Sequence, residues 1–226
     1  MLIDHIGLFL FPDILIFRYI GRIAFPLFAF FIAEGCRYTS GRLRYFLNVF
    51  VLAVLCQSVY LGQMLIGGFA DKIYLNVLFT FSFSIVLCFA YFNFKDALSK
   101  SVSFFSVSVS LAVFAAVLLF AFVACFAAEN LFETSVRIEY GFAGVLLPLF
   151  AALFQGKYAK LLSFAIGTLL FSYIQSELAP FSWFALFAVL ILALYNGKRG
   201  TRRLKYAFYL FYPIQFGVLY LISMLI

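Results

Sequence analysis

Residues 103–126 read SFFSVSVSLAVFAAVLLFAFVACF, a run of 24 residues that contains no charged side chain. An α-helix needs about 20 apolar residues to cross a hydrocarbon core roughly 30 Å thick. A transmembrane β-strand needs only about ten residues, and they must alternate in polarity. Because residues 111–126 are apolar throughout, the run predicts a transmembrane α-helix.

The same kind of run recurs along the whole chain, where charged residues, Gly and Pro separate about nine apolar segments. Their approximate bounds are 1–11, 14–36, 43–65, 73–94, 103–126, 139–155, 158–175, 180–196 and 206–226. No connection between them is long enough for a soluble domain. We therefore predict an all-α polytopic transmembrane bundle of about nine helices, forming a single domain over residues 1–226.

The first segment is too short to cross a bilayer on its own. Residues 1–11 would extend for roughly 16 Å as a helix, about half of the hydrocarbon thickness. They also lack the basic start and small-residue cleavage site of a signal peptide. Two interpretations stay open: a short first helix sheltered by its neighbours, or a natural chain that starts upstream of Met1.

Composition excludes several classes of protein. Hydrophobic residues make up 66% of the chain and charged residues only 11%, so that 34 Phe outnumber all 25 charged side chains. Soluble domains carry about 25% charged residues, and disordered chains carry more polar residues than this one. The formal net charge of +7 does not predict nucleic-acid binding, because basic residues of membrane proteins collect in cytoplasmic loops.

The basic residues lie mainly on one side of the predicted bundle. Only Lys72 and Arg137 fall in the loops of the opposite side. Twelve follow the second, fourth, sixth and eighth segments: Arg37, Arg42, Arg44, Lys95, Lys100, Lys157, Lys160, Lys198, Arg199, Arg202, Arg203 and Lys205. The positive-inside rule predicts a multi-pass membrane protein whose basic loops face the cytoplasm.

Ionisable residues inside the first two segments are the main candidates for a functional site, because buried charges in membranes are costly. They are Asp4, His5, Arg18, Arg22 and Glu34. The i, i+4 spacing of the two arginines places them on one helical face, and the short link to the first segment brings Asp4 within reach. Two interpretations stay open: an ion pair that only locks this hairpin, or a catalytic group with His5 as the base. Glu34 is expected to pair with Arg37.

Metal chemistry has no support, since the chain has one His and no ligand cluster at zinc or iron spacing. The four Cys lie singly in apolar segments and are interpreted as buried, inert thiols. Weaker candidates for binding residues are Asn76, Glu139, Tyr140, Tyr212 and Gln215. Lys198 and Arg199 lie in a turn that could be a topology anchor at lipid headgroups or a site for the phosphates of a cytosolic anion.

Seven blocks in order resemble the TraX family of integral membrane proteins. They are MLIDHIG at 1–7, RYIGRIAFPLFAF at 18–30, AEG at 33–35, NVLFT at 76–80, EYGFAGVLLP at 139–148, YNGKRG at 195–200 and FYP at 211–213. The family is named for a member that N-acetylates the pilin of F-type conjugation systems. The resemblance implies an acetyltransferase that moves an acetyl group from cytosolic acetyl-coenzyme A to an amine or hydroxyl at the membrane.

The resemblance also implies roles for residues. Asp4 and His5 would sit in the catalytic centre, Arg18 and Arg22 would shape it, and Glu34, Asn76 and Glu139 would line the same cavity. Two departures stand out. Family members usually have the rest of a first helix upstream of the Asp-His pair, and they commonly have a His where this chain has Gln215.

Two other functions compete with the enzyme. A small transporter or channel would use the buried charges as a substrate or proton pathway, and a non-catalytic scaffold would use them only to fix helix packing. The sequence does not distinguish a peptide, a sugar or another molecule as the acyl acceptor. Apart from this acceptor, it predicts the lipid bilayer as the partner.

Overall fold

A computed structural model describes residues 1–67, 73–100, 103–130, 136–177, 179–197 and 205–225. The amino-terminal part is a hairpin of short helices followed by longer ones: α1 Leu2–Phe9, α2 Ile16–Gly21, α3 Ala24–Tyr38, α4 Arg42–Gly67, α5 Val77–Ser99 and α6 Phe104–Asn130. The rest contains α7 Gly141–Leu153, α8 Lys157–Ser176, a 3-10 helix Pro180–Leu186, α9 Phe187–Ala193 and α10 Lys205–Ser223. The predicted all-α transmembrane bundle is confirmed.

Four helical stretches within the described residues are long and apolar enough to cross a bilayer. They are Ile16–Tyr38, Arg42–Gly62, Val77–Ser99 and Phe104–Ala127. The last of these presents its side chains outward, with Phe104, Leu119 and Phe120 each more than 60% exposed. A contiguous apolar surface of this kind is typical of a helix face that contacts lipid or another protein.

The interior is built by α3, α5, α7 and α8 and is rich in aromatic residues. Phe25 stacks on Phe81 at 5.4 Å between ring centroids and on Phe171 at 5.0 Å. Towards the other end, the fully buried Phe164 meets Phe30 edge to face at 5.4 Å. Helix α3 of this core follows directly on the stretch that carries Arg18 and Arg22, so the core anchors the carboxyl end of that stretch.

Two short strands lie at or just before the start of predicted helical segments. One strand is inside the predicted segment 73–94, and the other directly precedes the predicted segment 139–155. Ile73–Leu75 forms β1, and Val136–Ile138 forms β2 in parallel with it. Helix α5 begins only after Asn76, whose side chain caps it by accepting a hydrogen bond from the Leu78 amide. The two strands pair along one edge, and the Gln57 side chain donates to the Tyr74 carbonyl and accepts from the Asn76 amide. Partners of this kind let the chain leave the helical conformation within an apolar bundle.

The hairpin of α1 and α2 is packed so closely that only Gly fits at one position. A Cβ at Gly21 would lie 2.3 Å from the Asp4 Cβ, well inside contact distance. This close approach holds the Asp4 carboxylate against α2, on the helix that carries Arg18.

Gly21→Ala is therefore expected to lower the free energy of unfolding by about 1–3 kcal/mol, the usual cost of overpacking. The measurement is thermal or denaturant unfolding of the purified protein in detergent. Gly62→Ala is the matched control, because a Cβ at Gly62 meets no atom within 4 Å. Equal stability of the two variants would contradict the close packing at Gly21.

Candidate functional site

A cavity of about 490 Å³ lies among α1, α2, α4, α10 and the two-stranded ribbon. We call it the charged cavity, because six of its lining residues are acidic residues, arginines or histidine: Asp4, His5, Arg18, Arg22, Arg137 and Glu139. The structure therefore brings together four of the five ionisable residues that the first two apolar segments contain. The fifth, Glu34, lies elsewhere.

The charged cavity lies far from the basic end of the bundle. Its wall includes Cys56 and Tyr60 of α4, a helix that starts at Arg42. At 1.5 Å per residue, Cys56 is about 21 Å from that start, more than half of a hydrocarbon core about 30 Å thick. The cavity is therefore in the half of the bundle opposite the basic loops.

An ion pair closes the α1–α2 hairpin at the charged cavity. Arg18 Nη1 lies 3.2 Å from Asp4 Oδ1 and donates a hydrogen bond to the Asp4 backbone oxygen at 3.4 Å. Both side chains are at most one-fifth exposed. The pairing with Asp4, predicted from the short link between the first two segments, is confirmed for Arg18, and it fixes the helix turn that carries His5.

Arg22 is held by aromatic neighbours and retains an unused donor. Its Nη1 donates to the Tyr140 hydroxyl at 3.3 Å, and its guanidinium lies 4.9 Å from the centre of the Phe181 ring. Its Nε is buried and has no hydrogen-bond partner among the described residues. A buried donor without a partner is costly, so a ligand that accepts from Arg22 would be favoured here.

Tyr140 has a backbone conformation that non-glycine residues rarely adopt. Its φ is 63°, in the left-handed region. The conformation is fixed by its carbonyl, which accepts from Gln175 Nε2 and from the Gly144 amide, each at 3.0 Å, and by its ring, which stacks on Phe25 at 4.0 Å. Strained residues of this kind concentrate at functional sites, and here the strain aims a hydroxyl at Arg22.

Two further predicted residues line the charged cavity beside His5 and Asp4. The ring of Tyr212, from α10, lies 6.2 Å from the His5 ring. Glu139 is anchored through its backbone: its amide donates to the Leu75 carbonyl, and its own carbonyl accepts from Thr80 Oγ1. The side chain of Glu139 is therefore held at the junction between the ribbon and α7.

Asn76 lines the cavity in a positioning role. Its side-chain oxygen caps α5, and its Nδ2 donates to the Ala53 carbonyl and to Gln57 Oε1. The side chain is thus engaged with the protein itself. It joins α4 to the start of α5 directly behind the cavity.

Two expectations for Glu34 are wrong. It does not line the charged cavity: twelve residues beyond Arg22 along the same polypeptide, it borders a separate pocket of about 180 Å³ near the basic end. It does not pair with Arg37, which donates to the carbonyls of Ala152 and Phe154. Its partner is Lys160 of α8, with 2.5 Å between Nζ and Oε1.

The remaining predicted residues are not part of the charged cavity as described. Gln215 is buried on α10, does not line the cavity, and neither of its side-chain polar atoms has a partner among the described residues. Lys198 and Arg199 lie outside the described residues.

Sequence reasoning missed Arg137 as a member of the site. The sequence pattern predicts a loop position for Arg137 on the side opposite the basic loops, but β2 carries it into the wall of the charged cavity, where its register partner is Tyr74. The available signal was the alternation in Val136-Arg137-Ile138, which is typical of a strand with one polar face. Three residues are too few to make that signal decisive.

Comparison with known proteins gives one match along the full length of the chain. The family model described as TraX protein matches residues 1–223. An uncharacterized protein of Rickettsia prowazekii (strain Madrid E) is 37% identical over 89 residues, an alignment that covers 32% of this chain and 34% of the relative. No solved structure matches the chain.

Proposed function

The chain belongs to the TraX family of membrane proteins, and we propose that it is an acetyltransferase acting on an amine or hydroxyl at the membrane. One observation carries the proposal: Asp4, His5, Arg18 and Arg22 come together with Glu139 and Tyr140 around one cavity in an apolar bundle. Groups that are so costly to bury are usually retained for function. The donor we propose is acetyl-coenzyme A.

His5 is the proposed general base. It is the one histidine of the chain, and a neutral imidazole can accept the proton of an attacking amine or hydroxyl. In the proposed reaction the acceptor loses a proton to His5 while its nitrogen or oxygen attacks the thioester carbonyl. The same proton is then available to the departing coenzyme thiolate.

Arg22 and Tyr140 are the proposed donors to the oxyanion that develops on the carbonyl. The hydroxyl of Tyr140 accepts from Arg22, so its own proton is free to be donated into the cavity. Donors that are fixed before the reaction stabilise developing charge without reorganising. The Arg18–Asp4 pair acts as a positioning element, because it locks the helix turn on which His5 stands.

We place the basic end of the bundle in the cytoplasm and assign the coenzyme phosphates to it. Support comes from the charge distribution along the chain and from Lys157, which borders the basic-end pocket with Asn196 and Gly197. Gly197 has a φ of 74°, which makes a tight turn there that favours Gly. Because Cys56 in the wall of the charged cavity lies about 21 Å along α4 from the basic end of that helix, only the thioester arm of the coenzyme would enter the charged cavity.

The test is incubation of purified protein with radiolabelled acetyl-coenzyme A and host extract, followed by identification of the labelled product. The enzyme proposal expects label in one acceptor class and release of free coenzyme A. Solute flux through reconstituted vesicles without any turnover of acetyl-coenzyme A would favour a transporter and contradict the proposal.

Arg22→Gln is expected to lower kcat by about 10²–10³-fold, the usual cost of losing an oxyanion donor. Arg22→Lys is expected to recover only part of the rate, because a lysine cannot keep the Tyr140 contact and the position over Phe181 together. The assay is initial-rate acetyl transfer. Ile20→Ala, an exposed position on the same helix, controls for damage to α2; unchanged kcat in Arg22→Gln would remove Arg22 from the reaction.

A further inference from the structure

A second, larger space adjoins the charged cavity. A groove of about 810 Å³ lies among α4, α5, α6 and the ribbon. We call it the apolar groove, because its walls are aromatic and aliphatic, with Phe50, Phe79, Phe83 and Phe120 among them. The hydroxyl of Ser82, its one polar side chain, donates back to the Leu78 carbonyl. Such a surface fits a hydrocarbon chain.

The ribbon is the wall between the two spaces. Successive side chains of a strand point to opposite faces. Leu75, Val136 and Ile138 line the apolar groove, whereas Tyr74 and Arg137 line the charged cavity. Ile138 borders both. Each strand has three residues, about 10 Å of wall, so a molecule of lipid size could reach both spaces around the end of the ribbon.

The charged cavity favours a negatively charged occupant. Three arginines line it, Arg18, Arg22 and Arg137, against two carboxylates, those of Asp4 and Glu139; their formal sum with neutral His5 is +1. The Arg137 guanidinium makes no ion pair or hydrogen bond with another residue of the described ranges. A guanidinium in this situation is well suited to bind phosphate oxygens.

Resting on the function proposed above, we propose that the acyl acceptor is an anionic phospholipid with a free headgroup hydroxyl. One fatty-acyl chain lies in the apolar groove, the phosphate is bound at Arg137 in the charged cavity, and the headgroup hydroxyl faces His5. In this arrangement the apolar groove accommodates the acyl chain and the arginines bind the phosphate. The glycerol lies at the ribbon between the two spaces. The net charge of −1 on the lipid balances the formal charge of +1 on the residues that line the charged cavity.

The reaction that follows is an ester-forming acetyl transfer. The headgroup oxygen bonds to the acetyl carbonyl carbon, and the bond from that carbon to the coenzyme sulfur breaks. The hydroxyl proton passes to His5 and then to the thiolate. The products are an O-acetylated phospholipid and free coenzyme A, with no change in oxidation state.

Binding is tested with the full chain in phosphatidylcholine vesicles that contain phosphatidylglycerol carrying a photoreactive group on one acyl chain. We expect crosslinks on α5 and α6 residues of the apolar groove, competed by unlabelled phosphatidylglycerol and not by more phosphatidylcholine. Ala116→Phe fills the groove and is expected to reduce these crosslinks about tenfold, the scale of losing a few buried methylenes. Ala115→Phe is the control, since Ala115 is exposed on the same helix and does not line the groove.

The headgroup contact is tested by Arg137→Gln, which is expected to abolish the preference for phosphatidylglycerol while leaving general membrane insertion intact. Uniform crosslinking over all lipid-exposed helices, or equal labelling of Ala116→Phe and Ala115→Phe, would overturn the lipid site. Incubation of the same vesicles with labelled acetyl-coenzyme A tests the acceptor role: acetylated phosphatidylglycerol supports it. Turnover of the donor onto a different acceptor would refute the lipid proposal and leave the acetyltransferase proposal standing, whereas groove labelling without any donor turnover would refute both.

Discussion

His5→Ala is expected to abolish acetyl transfer while the protein stays folded. General base catalysis contributes about 10²–10⁴-fold, and no other histidine is present in the chain to replace His5. The measurement is transfer of label from acetyl-coenzyme A by the purified variant in lipid. Size-exclusion profile and thermal unfolding establish that the variant is folded. Ile3→Ala, at an exposed position of the same helix, is the matched control.

His5→Gln separates proton transfer from hydrogen bonding. Glutamine can occupy the space beside Tyr212 and hydrogen-bond there, but it does not titrate. The variant is therefore expected to keep a KM close to that of the parent protein and to lose kcat. Full acetylation by His5→Ala would remove His5 from the chemistry and would leave the Arg18–Asp4 pair as a lock of the hairpin alone.

The helices of the bundle could be predicted from the sequence because the requirement that produces them acts on each apolar segment separately. Each apolar run of membrane length must be helical to satisfy its backbone in lipid, and the predicted segments all contain helix in the described residues. The ribbon could not be predicted in the same way. Ile73–Leu75 pairs with residues more than 60 positions away. In the sequence, a run of three apolar residues is equally compatible with the start of a helix.

The candidate site could be predicted only in part for the same reason. Arg18, Arg22 and Asp4 lie within one short hairpin, so their meeting follows from helix geometry. Arg137 reaches the charged cavity through a long-range strand pair that no local pattern specifies. The resemblance to the TraX family implies that Glu34 lines the same cavity, but the rise of the helix from Arg22 carries it about 18 Å away.

The ion pair of Glu34 and Lys160 is expected to contribute mainly to the stability of the fold and little to the catalytic rate. Both residues are 8% exposed, and 2.5 Å separates their charged atoms. Removing one partner leaves the other charge buried without compensation. Glu34→Ala is therefore expected to cost about 3–5 kcal/mol of unfolding free energy, measured by denaturant unfolding in detergent. Lys157→Ala, which removes an exposed charge from the start of the same helix as Lys160, is expected to change stability little.

The double variant Glu34→Leu with Lys160→Met distinguishes a structural role of the ion pair from a role in the reaction. Replacing both charges with apolar side chains leaves neither buried ion uncompensated, so much of the lost stability is expected to return. Neither residue borders the charged cavity, so the folded double variant is expected to keep its kcat for acetyl transfer. Both residues border the basic-end pocket to which we assign the coenzyme phosphates, so the KM for acetyl-coenzyme A is expected to rise. A double variant that regains stability but shows no transfer even at saturating acetyl-coenzyme A would instead place Glu34 in the reaction, as the resemblance to the TraX family implied.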